Sequence, residues 1–209
     1  MAKRIVVIGS GGFAKEVAFL IQEINTVSNE WNFLGFIDDQ VGNSVGNNAI
    51  LNNDNWLLNS NETIYAAIGI GSPKIKKSIA DKFSVNKNII FPNLRHPNAT
   101  GDWSNIKMGK GNVICSSCCF TTDIDIGNFN AFNLCTTLGH DAIVGDYNVI
   151  NPSTNLSGKV VIGDSVLIGT NSALLEDIKI HSNTIIGAGS TVVKSITEAG
   201  TYVGTPAKK

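Results

Sequence analysis

The chain has three histidines among its 209 residues, and His140 stands directly before Asp141 in Thr137-Leu138-Gly139-His140-Asp141-Ala142-Ile143-Val144-Gly145-Asp146. An imidazole is suited to take a proton from an attacking amine or hydroxyl near neutral pH. Such a base works best beside a donor for the oxygen that turns negative, and a backbone N–H can supply one. A second group with chemical potential is Gly9-Ser10-Gly11-Gly12-Phe13-Ala14, in which Gly9, Gly11 and Ala14 fit G-x-G-x-x-A. It follows the apolar run Ile5–Ile8 and precedes an apolar-periodic segment ending near Ile24. A strand, a Gly-rich turn and a helix in that order present backbone N–H groups and a helix N-terminus to a phosphate. Asp38 and Asp39, after the strand Phe33–Ile37, could accept hydrogen bonds from a base or ribose; a solvated turn explains them equally well. The third group, Cys115-Ser116-Ser117-Cys118-Cys119, contains a C-x-x-C. No second C-x-x-C or nearby histidine pair completes a metal site, and no helix start activates a thiolate. No metal is expected.

The elements that position these groups follow two grammars. From Met108 to Val192 every sixth residue is apolar, fifteen positions without exception, and a glycine often comes next. A helix or an ordinary strand would lose phase within a few repeats; a hexapeptide β-helix would not. Each hexad is one short strand plus a corner, and three hexads make one triangular coil of 18 residues. The fifteen hexads give an all-β parallel β-helix of about five coils, roughly 24 Å tall at ~4.8 Å per layer. The aliphatic position and the residue two before it should point inward, and the two residues before that pair should form the corner. Cys118 falls on the small inward position and reads as core. Asn112, Asn130 and Asn148, 18 apart on that same position, should stack as a side-chain ladder. His140 and Asp141 fall on a corner and should face outward, with Gly158 one coil above, Thr122 one coil below, and Asn133 outward on the adjoining face.

The first 95 residues alternate strand and helix. Strands at Ile5–Ile8, Phe33–Ile37 and Thr63–Ile68, a helix from about Ile75 to Phe83 and a strand near 88–91 predict a small Rossmann-like parallel sheet. That length supplies one mononucleotide-binding half, so a single nucleotide or nucleotide diphosphate fits better than a dinucleotide. The expected domains are 1–95 and 96–209. A formal net charge of −1 leaves no basic footprint for nucleic acid, and no apolar run approaches the ~20 residues of a membrane span. Ile5–Ile8 is too short for a signal-peptide core, which makes the cytoplasm the expected location.

The whole chain resembles the bacterial family of sialic-acid O-acetyltransferases and UDP-amino-sugar N-acetyltransferases of bacillosamine synthesis. The resemblance is carried, in order, by IVVIGSGGFAKEV, FIDD, AIGIGSP, HPNAT, GHDAIVGD and VGTPAKK. It implies a left-handed β-helix and an acetyl-CoA-dependent transferase working as a homotrimer, with active sites between neighbouring β-helices. It also implies direct transfer to an amine with His140 as general base, Asp141 orienting or tuning it, and Asn133 holding the substrate amine or the histidine. Gly158, Ala173, Ala188, Pro206 and Lys208 are implied in acetyl-CoA binding, and Gly9, Gly11, Gly12, Asp38, Asp39 and Gly69 in nucleotide binding. The acceptor it favours is a nucleotide-linked, preferably UDP-linked, amino sugar of surface glycan biosynthesis. The chain departs from the family's pattern at Val149, where relatives often carry a second histidine.

Three other readings compete. O-acetylation of a sialic acid needs the same base. A zinc hydratase needs three converging histidines, but His96 precedes the repeat and His181 occupies a different point of the coil from His140. A non-catalytic scaffold suits the repeat but not an outward His-Asp corner under a glycine.

Overall fold

The computed structural model describes residues 2–209. The N-terminal region is built on β1 (Lys3–Ile8), α1 (Gly12–Ser28) and β2 (Trp31–Ile37). These are followed by β3 (Ser44–Val45), β4 (Asn48–Asn52), α2 (Asp54–Leu58), β5 (Ile64–Ile68), α3 (Pro73–Phe83) and β6 (Ile89–Ile90). The sheet order is β3-β4-β2-β1-β5-β6, parallel except for the β3–β4 hairpin. Ile5–Ile8 is buried on both faces, as a central parallel strand requires. Helix α1 buries Ala14, Val17, Ala18, Ile21 and Ile24 at helical spacing. The direction of chain travel reverses at β1, whose neighbours are β2 and β5, so the crevice at their carboxyl ends is where an open α/β sheet takes ligand. The hairpin and α2 carry no strong periodicity and were not expected from the sequence.

From Leu94 the chain winds as a parallel β-solenoid. Its strands form three sheets, here I, II and III, beginning at Leu94–Arg95, Thr100–Gly101 and Ile106–Met108. The sheets hold seven, six and five strands, so the solenoid is longer than the expected five coils. It gains a coil in front because Leu94 pairs with Val113 and Thr100 with Cys119, one residue off the regular spacing of 18, a shift that hid them from the strict period. It also gains Thr201–Tyr202 behind. Leu94–Arg95 therefore lies in the solenoid although the sequence placed the boundary after residue 95.

The interior follows the arithmetic of the hexad. Every small inward residue from Asn112 to Ser190 is buried. The Asn ladder is present, made chiefly by side-chain oxygens on the backbone above: Asn112 Oδ1 accepts from Asn130 N at 2.8 Å and Asn130 Oδ1 from Asn148 N at 2.9 Å. Asn130 Nδ2 also donates to Asn112 Oδ1 at 3.1 Å. At each corner the second residue takes the left-handed conformation, from Ser117 (φ 61°) through Asp141 (φ 59°) to Asn183 (φ 60°), always six apart.

The N-terminal sheet docks on sheet I. One of its faces, with α1, packs on Leu94, Val113 and Cys115. The other, with α3, meets Phe129 and Tyr147 at the corner between sheets III and I. There Phe129 stacks on Tyr147 with ring centroids 5.5 Å apart and meets Phe91 edge-on at 5.1 Å.

Candidate active site

His140 and Asp141 close the corner between sheets II and III, directly after the strand Thr137–Leu138. The backbone stacks this corner squarely between its neighbours. Asp141 N donates to Thr122 O at 3.2 Å, and Lys159 N donates to His140 O at 2.7 Å. The imidazole is half exposed, as expected of an outward corner. Its Nδ1 lies 2.7 Å from Asp141 Oδ2. An ionised carboxylate can only accept, so Nδ1 carries the proton and Nε2 presents its lone pair. That lone pair lies under Gly158, where an added Cβ would stand 2.6 Å from Nε2.

The three edges of the solenoid differ in how their N–H groups are used. Along the III–I edge each first corner N–H is taken by a side chain one coil above: Lys110 by Asn128, Asn128 by Asp146, Asp146 by Asp164 and Asp164 by Ser182. On the II–III edge the N–H of Gly158 has no acceptor among the described residues. An open donor therefore stands beside the base, which is the arrangement that acyl transfer requires.

Asn133 departs from expectation. It is only 8% exposed rather than outward, and it belongs to the I–II side of the solenoid. Its Oδ1 accepts from Leu134 N at 2.7 Å, which turns the amide back onto its own corner. Ala173 lies on sheet II, two strands above Thr137, with Thr191 above it. The tail carrying Pro206 and Lys208 folds over the top of that column: Ala207 N donates to Thr191 O at 2.8 Å, and Lys208 pairs with Val203. Ala188 stands on the I–II edge, its N–H close above Gly169. Gly158, Ala173 and the tail thus follow one face upward from His140, with Ala188 on its far border. Val149, where the family's pattern has a second histidine, is buried on sheet I, away from the His140 corner of its own chain.

The nucleotide candidates come together at the carboxyl ends of β1, β2 and β5. Gly9 (φ 97°) makes the turn that only glycine takes freely, and a Cβ there would meet Ile70 at 2.7 Å. Gly69 lets the β5–α3 loop touch α1, since a Cβ would meet Ala14 Cα at 2.6 Å. Gly11 and Gly12 face open space. Ser10 Oγ donates to Asp38 Oδ2 at 2.7 Å, tying the turn to the end of β2, while Asp39 is exposed.

Of the cysteines, Cys118 is core, as expected; burial pushes the Cys115 and Cys118 thiols up to about 12. Among the described residues no three His, Cys, Asp or Glu side chains converge as metal ligands. One residue escaped the sequence reading. Lys76, in the run Lys74-Ile75-Lys76-Lys77, is 1% exposed. Its phase with buried Pro73, Ala80 and Phe83 was the available signal.

Residues 4–83 match the PglD N-terminal domain family, and residues 159–194 match the bacterial transferase hexapeptide family. Among curated proteins no sequence is significantly similar. Solved structures are similar over the full length. The acetyltransferase domain of PglB from Neisseria gonorrhoeae, in complex with acetyl coenzyme A, is 27% identical with a TM-score of 0.90, covering 100% of this chain and 99% of that one. WeeI from Acinetobacter baumannii is 25% identical, TM-score 0.84, covering 99% of each chain. A histidine variant of perosamine N-acetyltransferase from Caulobacter crescentus, in complex with CoA and GDP-perosamine, is 22% identical, TM-score 0.91, covering 100% and 97%. The chain thus joins an N-terminal domain similar to that of PglD, at residues 4–83, to a bacterial transferase hexapeptide repeat, at residues 159–194.

Proposed function

We propose that the protein transfers the acetyl group of acetyl-CoA to the amino group of a nucleotide-linked amino sugar, with His140 as general base. One observation carries this reading: His140 Nε2, freed by the Nδ1–Asp141 contact, lies beneath the open N–H of Gly158. Acetyl-CoA supplies an acyl group that is already activated. His140 Nε2 then takes the proton of the attacking amine, Asp141 fixes the ring in that tautomer, and Gly158 N–H donates to the oxygen that gains charge; as the amide forms the C–S bond breaks, and the CoA thiolate leaves with the proton held by His140. No nucleophile on the protein is needed, in keeping with the Cys115 and Cys118 thiols that burial holds high.

The layout of one chain supports a composite site. The N-terminal domain docks on sheet I, whereas His140 occupies the II–III edge, the edge opposite that face. A sugar whose nucleotide is held at Gly9–Gly12 and Asp38 therefore needs the His140 of another copy. Exposed apolar residues on the solenoid, among them Leu134, Ile143, Leu175 and Ile185, suit burial between copies. We take the assembly to be a homotrimer. Among the described residues no helix is long and apolar enough to cross a membrane.

The test is thiol release from acetyl-CoA against UDP-, GDP- and dTDP-linked amino sugars and free sialic acids, with mass determination of the assembly. Turnover with nucleotide-linked amino sugars is expected, and UDP is the favoured base. Turnover with sialic acids alone would replace this reading by O-acetylation.

A further inference from the structure

The two long helices of the N-terminal domain start without the usual N-terminal devices. Gly11 precedes α1 at the N-cap position and Ser72 precedes α3; neither helix has a side-chain cap, and neither carries an acid in its first turn. Helix α2 shows the contrast: Asn53 caps two of its N–H groups and Asp54 stands in its first turn. The two bare N-termini follow the adjacent parallel strands β1 and β5, so both positive ends open on the same crevice. Gly11, Gly12 and Gly71 leave that side open.

Lys76 lies between them. It extends from the first turn of α3 to the first turn of α1, with its ammonium 5.8 Å from the centroid of Phe13, the residue after the glycine turn. It is 1% exposed, and no carboxylate pairs with it among the described residues. A buried, unpaired ammonium is costly, so the group gives up its charge unless an anion reaches it.

We propose that Lys76 and the N-termini of α1 and α3 form the diphosphate-binding element of the nucleotide site, so that Lys76 is the residue that reads the charge of the substrate's pyrophosphate. This rests on the reading of the acceptor as nucleotide-linked. Two helix N-termini supply backbone donors, and Lys76 supplies the positive charge that those donors lack. On the solenoid side Lys76 faces Cys115, which lies one coil below Asn133 in sheet I. The element therefore sits between the nucleotide turn and the I–II edge, on the route a sugar takes toward a neighbouring copy.

A second property follows. Burial lowers Lys76 to about 7, and the titratable group acting on it, Cys115, is itself neutral, being raised to about 12 by burial, with Cys118 and Glu16 of α1 adding to the effect. A bound diphosphate favours the ammonium, so substrate binding above neutral pH takes up a proton from solvent at Lys76.

The experiment is calorimetric titration of the full-length protein and of Lys76→Met with UDP, GDP and dTDP, and with the matching nucleosides, at pH 8 in buffers of different ionisation enthalpy. For the diphosphate that wild type prefers, Lys76→Met is expected to lose about 10- to 100-fold in affinity and to show no proton uptake, with nucleoside binding unchanged. Lys76→Arg is expected to recover part of the affinity without the uptake. Equal diphosphate affinity in wild type and Lys76→Met would overturn the role of Lys76 alone. An equal loss for nucleosides would make Lys76 structural. Failure of wild type to bind any of the three diphosphates would overturn both this inference and the nucleotide-linked acceptor.

Discussion

Gly158 stands directly over His140, so close that one methyl group on its Cα would fall 2.6 Å from Nε2 and 2.7 Å from Cε1. The colliding atoms are the end of a half-exposed side chain and can swing away, so the backbone need not move. Gly158→Ala is expected to fold and unfold like wild type while losing about 100-fold or more in kcat, comparable to His140→Ala. Steady-state kinetics beside a denaturant melt check this; an active Gly158→Ala would remove Nε2 from the reaction.

Asp141 sits in the left-handed region at φ 59°, which asparagine also tolerates. Asp141→Asn should therefore keep the corner but withdraw the charge that steadies the imidazolium. Because the pair is half exposed, screening keeps the effect modest: kcat falls about tenfold with KM for both substrates little changed. A change confined to KM would assign Asp141 to binding.

The ladder inside the solenoid is a separate lever. Asn130→Ala removes the acceptor of Asn148 N–H and the side-chain donor to Asn112 Oδ1 in a dry interior, leaving Asn112 only the backbone N–H of residue 130. A loss of about 2–4 kcal/mol in urea unfolding is expected, with kcat per folded molecule unchanged. A loss below about 0.5 kcal/mol would mean that water reaches the column.

Stability should depend on pH in two opposed ways. Lys76 is lowered to about 7 from its ordinary 10.5, so between these values the unfolded chain holds a proton that the folded chain lacks, and stability rises with pH. Cys115 and Cys118 are raised from 9.0 to about 12, so above 9.0 the folded chain keeps protons that the unfolded chain loses, and stability falls. Two thiols outweigh one amine. Under reducing conditions the unfolding free energy of ligand-free protein should climb from pH 7 to about 9 and then decline. In Lys76→Met the climb should vanish; a climb that persisted there would have another origin.

How much of this was legible depended on whether spacing alone decides it. The corner at His140, the glycine above it and the buried Cys118 followed from counting, because every coil repeats the one below. The extra first coil was hidden by the one-residue shift between Leu94 and Val113. Asn133 was misplaced because its outward or inward pose turns on a local bond to Leu134 N, which no period encodes. Lys76 stands between Lys74 and Lys77, and only the helical phase of Pro73, Ala80 and Phe83 sets it apart. That the nucleotide turn and His140 face away from each other depends on which sheet the N-terminal domain covers, and this is settled by long-range packing of Val113, Phe129 and Tyr147.

The corners also hold an untapped reserve of robustness. Twelve in succession, Ser117 to Asn183, place a side-chain-bearing residue where L-amino acids are disfavoured by roughly 1–2 kcal/mol each. Aspartate and asparagine accept this well, but Cys135 at φ 58° does not, and its side chain is exposed. Glycine at such a point relieves the backbone at a smaller loss of chain entropy. The fold can therefore be made more heat-resistant from its surface, one turn at a time, leaving the interior and the catalytic edge as they are.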